Sequence, residues 1–285
     1  AGATVALWST VATAFELGLR DLSPAALLAG ANVVAVLVLA LLAAGLGRLG
    51  ALRGLTGADH RRALLLGALN PALYYLVLFE AYDRLPGQVA QPLNYTWAIT
   101  LSLLAVPVLG HRLRAAELAA MGVAWLGVVV IATGGDPGRL QTDDPVGVAL
   151  ALGSTVVWAA YWLLAARDRR EPVTGLLLNF VYALPLTAAL ALVTETRFAA
   201  TPLALGAIAW VGFAEMGASF VLWLLALRRA RSTAAISSLI FLSPFVSLVL
   251  LAAVAGETIR PATPAGLVLI VAGLLLQRRA GRTPG

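Results

Sequence analysis

Apolar runs of about 20 residues follow one another along almost the whole chain. An α-helix of that length crosses the roughly 30 Å hydrocarbon core of a bilayer. Of the 285 residues, 60% are hydrophobic and only 12% are charged, which leaves more apolar surface than a domain in water can bury. The sequence therefore predicts an all-α integral membrane protein.

We predict ten transmembrane helices joined by short polar links. Proline stands at or just before several starts, such as Pro24, Pro145 and Pro172, where its missing N–H costs little. The first run has neither a charged flank before it nor a small-residue cleavage site after it, so we expect a span and not a signal peptide. The predicted spans are 3–19, 24–46, 63–83, 86–108, 115–133, 146–166, 172–193, 202–227, 232–254 and 264–277.

The second half of the chain repeats the first. The clearest pairs, each 146 residues apart, are Gly110 with Gly256, Arg114 with Arg260, and Gly127 with Gly273. Because a repeat of five spans has an odd number of crossings, the second copy enters the membrane from the opposite side. We expect two inverted five-helix repeats, residues 1–134 and 146–285, around a central cavity, with residues 135–145 as a periplasmic link.

Arginine supplies all 20 basic residues, and its distribution predicts the orientation. Links after even-numbered spans and the C-terminal tail hold 15 of them, and links after odd-numbered spans hold 5. The positive-inside rule then places the even side and both termini in the cytoplasm. Because these arginines are scattered over short loops, the net charge of +6 gives no reason to expect a nucleic-acid partner. The oligomeric state is not fixed, and a monomer is consistent with the sequence.

The residue types needed for most membrane-embedded chemistry are missing. The chain has no Cys, its two histidines, His60 and His111, lie in predicted cytoplasmic links, and the spans hold no pair of Asp, since Asp83 alone stands at the end of one. Without Lys, a Walker A phosphate loop cannot be built. We therefore expect no enzyme activity, no nucleotide hydrolysis, no metal and no cofactor.

Polar side chains inside the spans are the candidate binding residues, because lipid offers them no partner. Glu16 and Glu80 lie near outer ends, where we expect them to reach headgroups or pair with arginines. Glu215 lies mid-span, where it is either a structural group or one that receives an amino group or carries a proton. The candidate substrate-binding residues are Asn70, Tyr74, Tyr75, Gln91, Tyr95, Trp97, Trp158, Trp162, Glu215 and Ser219.

Aromatic residues and prolines refine this picture. Trp210 and Trp223 are expected at the membrane interfaces, where such residues usually lie. The mid-span aromatic residues are expected to line a cavity, with packing between helices as the alternative. Pro92 and Pro244 interrupt the hydrogen-bond ladder once in each half and point to a binding site there. Aromatic walls, amides and one acid suit a neutral or zwitterionic substrate better than a phosphorylated one.

One stretch resembles a known family. Leu239–Gly256 holds a central Pro244 and is followed by Glu257, and a Gly-rich span closes the chain. This arrangement is similar to the drug/metabolite transporter superfamily, EamA type, in which a span with a central proline is followed by Gly-Glu. The first half differs, with Ala98 and His111 in those places. Within the family, the chain is most similar to YddG-type exporters of aromatic amino acids.

The resemblance implies a secondary transporter of the bacterial inner membrane. It would export amino acids, aromatic ones above all, and related small metabolites by alternating access. A multidrug exporter of lipophilic cations is the alternative, since Glu215 and Trp158 together suit a cation. A channel is a further alternative, although the polar residues gather near the middle of the membrane and do not form a continuous pore.

Overall fold

A computed structural model describes residues 2–110, 113–136, 144–194, 197–229 and 242–280, and nearly all of them are helical. The α-helices are α1 (Gly2–Gly18), α2 (Pro24–Gly45), α3 (Gly57–Gly67), α4 (Tyr74–Arg84), α5 (Gly87–Asn94), α6 (Trp97–Leu109), α7 (Ala115–Thr133), α8 (Pro145–Ala165), α9 (Pro172–Thr194), α10 (Pro202–Trp210), α11 (Ala218–Arg229), α12 (Ser243–Leu250) and α13 (Ala262–Ala280).

Within the described ranges, seven helices are long and apolar enough to cross a membrane. Three of them are α2, α7 and α9, and two more are the composite helices Gly57–Arg84 and Pro202–Trp223. The remaining two are α8 and α13. The prediction of an all-helical, multi-pass membrane protein is therefore confirmed. The count of ten spans stays a prediction, because the fourth predicted span is divided and part of the ninth lies outside the described residues.

Helix starts follow the local sequence. The Ser23 hydroxyl accepts a hydrogen bond from the Ala26 N–H at the start of α2 (3.3 Å), and the Thr201 hydroxyl accepts one from Ala204 at the start of α10 (3.1 Å). In both helices a proline follows the cap, where its missing N–H would have no partner in any case. A polar cap followed by proline is why these two boundaries match the predicted ones.

The third predicted span is interrupted in its middle. The segment Ala68–Leu73 between α3 and α4 is wound as a π-helix, and Asn70 within it is extended (φ −142°, ψ 114°). Pro71 follows directly, and proline both disfavours a helical residue before it and lacks the N–H of a helical ladder. A second π-helical segment, Val211–Gly217, lies between α10 and α11 and contains Glu215.

The fourth predicted span is broken where the sequence indicates a kink. Helix α5 contains Pro92 and ends at Asn94, and α6 starts at Trp97 after a turn at Tyr95 and Thr96. In the ninth span, Pro244 lies in the first turn of α12. The residues ahead of that turn are outside the described part of the chain, so the predicted interruption in span 9 stays untested.

Helices α7 and α13 touch through glycines that belong to the repeat. A Cβ placed on Gly127 would lie 2.4 Å from the carbonyl oxygen of Gly266, and one on Gly273 would lie 2.6 Å from that of Ala120. Ala120 and Gly266 are 146 residues apart, as are Gly127 and Gly273. The contact is therefore reciprocal, because each repeat presents the same pair of positions to the other.

A second reciprocal contact joins α9 to Gly67 and α2 to Gly212. A Cβ on Gly67 would lie 2.2 Å from the carbonyl oxygen of Asn179, and one on Gly212 would lie 2.5 Å from that of Ala31. The two glycines are 145 residues apart and the two carbonyl groups are 148 apart. Only a glycine allows helices to approach this closely, so both crossings depend on the same residue type.

Candidate functional site

A central cavity, part of it continuous with solvent, lies among α1, α4, α5, α8 and the Val211–Gly217 segment with its continuation in α11. Its walls are mostly aromatic and its polar groups are few, as is usual for sites that bind small organic molecules. The lining residues are Trp8, Val11, Phe15, Tyr74, Leu78, Tyr82, Gln91, Asn94, Tyr95, Trp97, Trp158, Trp162, Glu215 and Trp223.

Trp158 is the centre of the aromatic wall. Its ring lies 4.4 Å from that of Tyr74, 5.7 Å from that of Trp162 and 5.9 Å from that of Phe220, measured between ring centroids. These are the offset and edge-on separations at which aromatic rings attract each other. The indole is thus held from three sides and presents a fixed apolar surface to the cavity.

Glu215 is the acid of the cavity. It is 9% exposed, and its Oε1 accepts a 3.0 Å hydrogen bond from the hydroxyl of Tyr75. The Ser219 hydroxyl donates to the backbone carbonyl of Glu215 (2.7 Å), so it satisfies the helix and not the carboxylate. One oxygen of the Glu215 carboxylate is therefore held by Tyr75, which lies in α4.

A chain of hydrogen bonds runs along the cavity wall from α4 to α8. The Tyr74 hydroxyl donates to the amide oxygen of Asn94 (3.3 Å), and the Asn94 amide nitrogen donates to the Ser154 hydroxyl (2.9 Å). The hydroxyl of Tyr95 donates to that of Ser243 across 2.8 Å. These groups hold one another in place and leave little hydrogen-bonding capacity for a ligand.

Two acceptors that line the cavity are left over. Among the described residues, Oε2 of Glu215 and Oε1 of Gln91 are buried and have no hydrogen-bond partner. A buried polar atom without a partner costs about 1–3 kcal/mol, so it is a natural contact for a ligand. Both atoms are oxygens, so each suits a ligand group that donates a hydrogen bond.

The structure brings seven of the ten candidate residues to this cavity. Asn70, Tyr75 and Ser219 lie outside its walls. Tyr75 acts on the cavity through Glu215, whereas both side-chain polar atoms of Asn70 lack a partner, with the Tyr161 hydroxyl nearby. The residues that line the cavity are Tyr74, Gln91, Tyr95, Trp97, Trp158, Trp162 and Glu215.

The expected position of Trp223 at a membrane interface stays a prediction, but the structure adds a contact that was not expected. Its ring packs on that of Trp8 (5.5 Å between centroids), and both line the cavity. Trp210 does lie at the surface, 40% exposed, with its N–H donated to Thr10. Phe15 and Tyr82 are further wall residues that the sequence did not single out. Both stand near an outer helix end, a position that alone does not show which face meets a cavity.

Glu257, the acid of the Gly-Glu pair, has a structural role at the edge of the site. Its carboxylate accepts hydrogen bonds from the N–H groups of Gly87 (2.7 Å) and Gln88 (3.1 Å), and so caps α5. Glu16 also accepts from Gly87 (3.2 Å). Glu16 was expected to reach headgroups or pair with Arg20 or Arg84; it accepts this hydrogen bond, while Arg20 donates to the carbonyl of Ala255 (2.6 Å).

In the part of the chain that the structure describes, no cluster of three or more His, Asp or Glu side chains could hold a metal ion. The site is therefore built from aromatic rings, amides, hydroxyls and one carboxylate. Such a set binds and orients a small molecule by shape, hydrogen bonds and charge.

Comparison with known proteins adds three findings. The sequence profile of the EamA-like transporter family matches residues 1–133 and again residues 145–278. A probable terminal-alkyne amino-acid exporter of Streptantibioticus cattleyicolor is 30% identical to the chain, over 99% of this chain and 95% of that protein. A crystal structure of a protein with no further description matches with a TM-score of 0.68 and 23% identity, over 98% of this chain and 96% of that one, and this likeness supports the fold alone.

Proposed function

The chain belongs to the EamA-like transporter family, and on that premise we propose that it exports amino acids, aromatic ones above all, and related small metabolites. It does so across the bacterial inner membrane, with both termini in the cytoplasm, and it works by alternating access. The relative named as a probable amino-acid exporter, matched along almost its whole length, supports this class of substrate.

The observation that carries the proposal is the pair of unpartnered acceptors beside the aromatic wall. An ammonium group is a compact cation with three N–H donors, and Oε2 of Glu215 and Oε1 of Gln91 are acceptors that the cavity lining offers to it. The surface around Trp158 then receives the side chain of the substrate, as stacked rings attract each other in offset and edge-on arrangements. Asn70, whose side-chain oxygen and nitrogen have no hydrogen-bond partner, lies outside the cavity wall and remains the candidate for the carboxyl group.

Alternating access needs two similar states, one open to each side. The reciprocal glycine contacts at Gly127 and Gly273, and at Gly67 and Gly212, support two inverted repeats of five spans, because an isologous contact is what a two-fold relation produces. Repeats bounded at residues 1–134 and 146–285 then rock against each other around the central cavity.

Export of lipophilic cations is the second candidate function. A carboxylate with one free oxygen among several aromatic rings also suits a drug cation that has no carboxyl group. The two functions differ in whether the substrate must carry a carboxylate, and this difference is measurable.

Counterflow in liposomes tests the proposal. The purified protein is reconstituted, the vesicles are loaded with unlabelled phenylalanine, and labelled phenylalanine is added outside. We expect saturable accumulation that other aromatic amino acids compete away and sugar nucleotides do not. Accumulation of a lipophilic cation, with none of phenylalanine, would replace amino-acid export by the second function. Uptake that rises without saturation would indicate a channel.

A further inference from the structure

A second cavity lies where α8 ends and α9 begins. It shares Trp162 and Trp223 with the central cavity, so these two side chains stand between the two spaces. We call this second space the entry cavity. On the predicted orientation it faces the cytoplasm, the side from which an exporter receives its substrate. Its lining residues are Tyr161, Trp162, Ala165, Asp168, Arg170, Pro172, Leu176, Asn179, Phe220 and Trp223.

Arg170 is the cation of the entry cavity, and its guanidinium is almost fully buried, with the side chain 4% exposed. Nε donates to both carboxylate oxygens of Asp168 at 3.0 Å, and Nη2 donates to Asp168 (2.6 Å) and to Asn179 (2.8 Å). Among the described residues, Nη1 has no acceptor. A buried cationic donor without a partner is costly, so an anionic acceptor is favoured there.

Arg170 belongs to a network of charged side chains. Its own carboxylate partner, Asp168, also faces Arg62 at 3.8 Å, and Glu171 faces Arg48 at 3.9 Å. Burial acts to raise the pKa of Asp168, but hydrogen bonds from Arg170 outweigh it and hold that pKa below its usual value, so Asp168 is ionised at neutral pH. Asp59 also interacts electrostatically with Arg170 and Arg62, so three guanidinium groups meet three carboxylates, and the unpartnered Nη1 of Arg170 is the donor that remains for an anion.

We propose that the entry cavity binds the carboxylate of the amino acid through Nη1 of Arg170 before the substrate passes Trp162 and Trp223 into the central cavity. This inference rests on the proposed function for the identity of the substrate. It assigns the two charged ends of a zwitterion to different places. The central cavity offers oxygen acceptors for the ammonium group, and its described lining contains no arginine, whereas the entry cavity supplies the cationic donor for the carboxylate.

Equilibrium binding of phenylacetate tests the site by itself, because this probe has a ring and a carboxylate but no amino group. Calorimetry on the purified full chain should detect binding to the wild type. The affinity should fall about tenfold or more in Arg170→Gln, the usual effect of losing a hydrogen bond to a charged group. Arg169→Gln is the matched control, because Arg169 is the exposed neighbour in the same link and should keep wild-type affinity.

Transport separates a role in binding the carboxylate from a structural role. In vesicles with the cytoplasmic face accessible, Arg170→Gln should raise the half-saturating concentration of phenylalanine about tenfold. It should leave that of phenylalaninamide, which lacks the carboxylate, unchanged, and this unchanged value also shows that the variant is folded. If Arg170→Gln fails to fold, Arg170→Lys keeps the charge without the planar fork and should show a smaller loss for phenylacetate.

Each outcome decides. No binding of phenylacetate to the wild type, equal binding to Arg170→Gln, or equal loss for phenylalanine and its amide would overturn the entry site. If the wild type transports no amino acid but binds phenylacetate in a manner that depends on Arg170, the proposed function fails and the carboxylate site stands. If phenylalanine is transported and Arg170→Gln changes nothing, the proposed function stands and the carboxylate site at Arg170 fails.

Discussion

The hydroxyl of Tyr75 donates a hydrogen bond to the carboxylate of Glu215, 140 residues later in the chain. Glu215 lies in a π-helical segment, and Tyr75 lies two residues after the end of the other one, which contains Pro71. The contact joins the two irregular helices and fixes one carboxylate oxygen, so that the other is left for a ligand. The first prediction concerns this pair.

Tyr75→Phe and Glu215→Gln should each lower kcat/KM for phenylalanine counterflow by about tenfold or more. The first leaves both carboxylate oxygens without a partner, and the second removes the charge that attracts an ammonium group. Tyr182→Phe is the control, since its hydroxyl contacts His60 away from the cavity. Wild-type transport by Glu215→Gln at every external pH would remove both the binding and the proton role.

Trp158→Ala should weaken transport of aromatic amino acids more than that of alanine, because the deleted indole is the centre of the aromatic wall. Trp97→Ala should act in the same direction, since Trp97 lines the same cavity. The control is Trp125→Ala, whose side chain is 40% exposed in α7 and does not line the cavity. The ratio of half-saturating concentrations for phenylalanine and alanine is the measurement. An unchanged ratio in well-folded Trp158→Ala would show that the walls are misassigned.

Gly127→Ala should lower the midpoint of thermal unfolding in detergent, with a cost of about 1–3 kcal/mol, because its methyl group would meet the backbone of α13. Gly122→Ala, in the same helix with nothing within 4 Å of the new Cβ, should be neutral or slightly stabilising. Gly273→Ala should behave like Gly127→Ala if the contact is reciprocal. Equal midpoints for the Gly122 and Gly127 variants would contradict the close crossing.

Asp144 makes the stability of the folded protein depend on pH. Its carboxylate accepts a hydrogen bond from the N–H of Gly147 at the start of α8 and pairs with Arg84, and these contacts hold its pKa below the usual value. A carboxylate whose pKa is lower in the folded state stabilises the folded protein at any pH above its unfolded-state pKa, which is about 3.9 for Asp. This stabilisation is lost as the pH falls through the folded-state pKa.

The unfolding midpoint of Asp144→Ala should therefore lie below that of the wild type by a constant amount from pH 5 to 8. The difference should shrink below about pH 4, where Asp becomes protonated. Asp144→Asn keeps an oxygen for the cap without the charge, so its midpoint should be intermediate and should follow the pH less. A gap for Asp144→Ala that stays unchanged down to pH 3 would rule out the charge as its source.

The sequence predicts helix positions well and helix faces poorly. Pro24, Pro145 and Gly134 mark ends through their own backbone chemistry, so the helices they bound were expected within a residue. That Trp223 lines the cavity was not expected, for a physical reason: in a membrane, apolar side chains face lipid and protein alike, so hydrophobic periodicity does not distinguish the cavity side. Of the neighbouring residues Tyr74 and Tyr75, only Tyr74 lines the cavity, and this depends on how α4 is rotated about its own axis.

The irregular segments were predicted in part. Pro92 indicated the break between α5 and α6, but the helix continues for two residues after the proline before it ends at Asn94. Pro71 carries the same signal in span 3, and its effect on Asn70 was missed. The pairing of Tyr75 with Glu215 depends on contacts between the two halves, which no local pattern contains.

The cap on α5 has a consequence for the order in which the chain can be assembled. During synthesis, α5 is made about 170 residues before Glu257. Until Glu257 has been made, the Gln88 N–H lacks its acceptor, and the Gly87 N–H has only Glu16 as an acceptor. Gln88 then also binds the carbonyl of Thr258 through its side chain. The start of α5 therefore gains all of its hydrogen bonds only after the second repeat has been synthesised. The two repeats thus depend on each other to complete their folding.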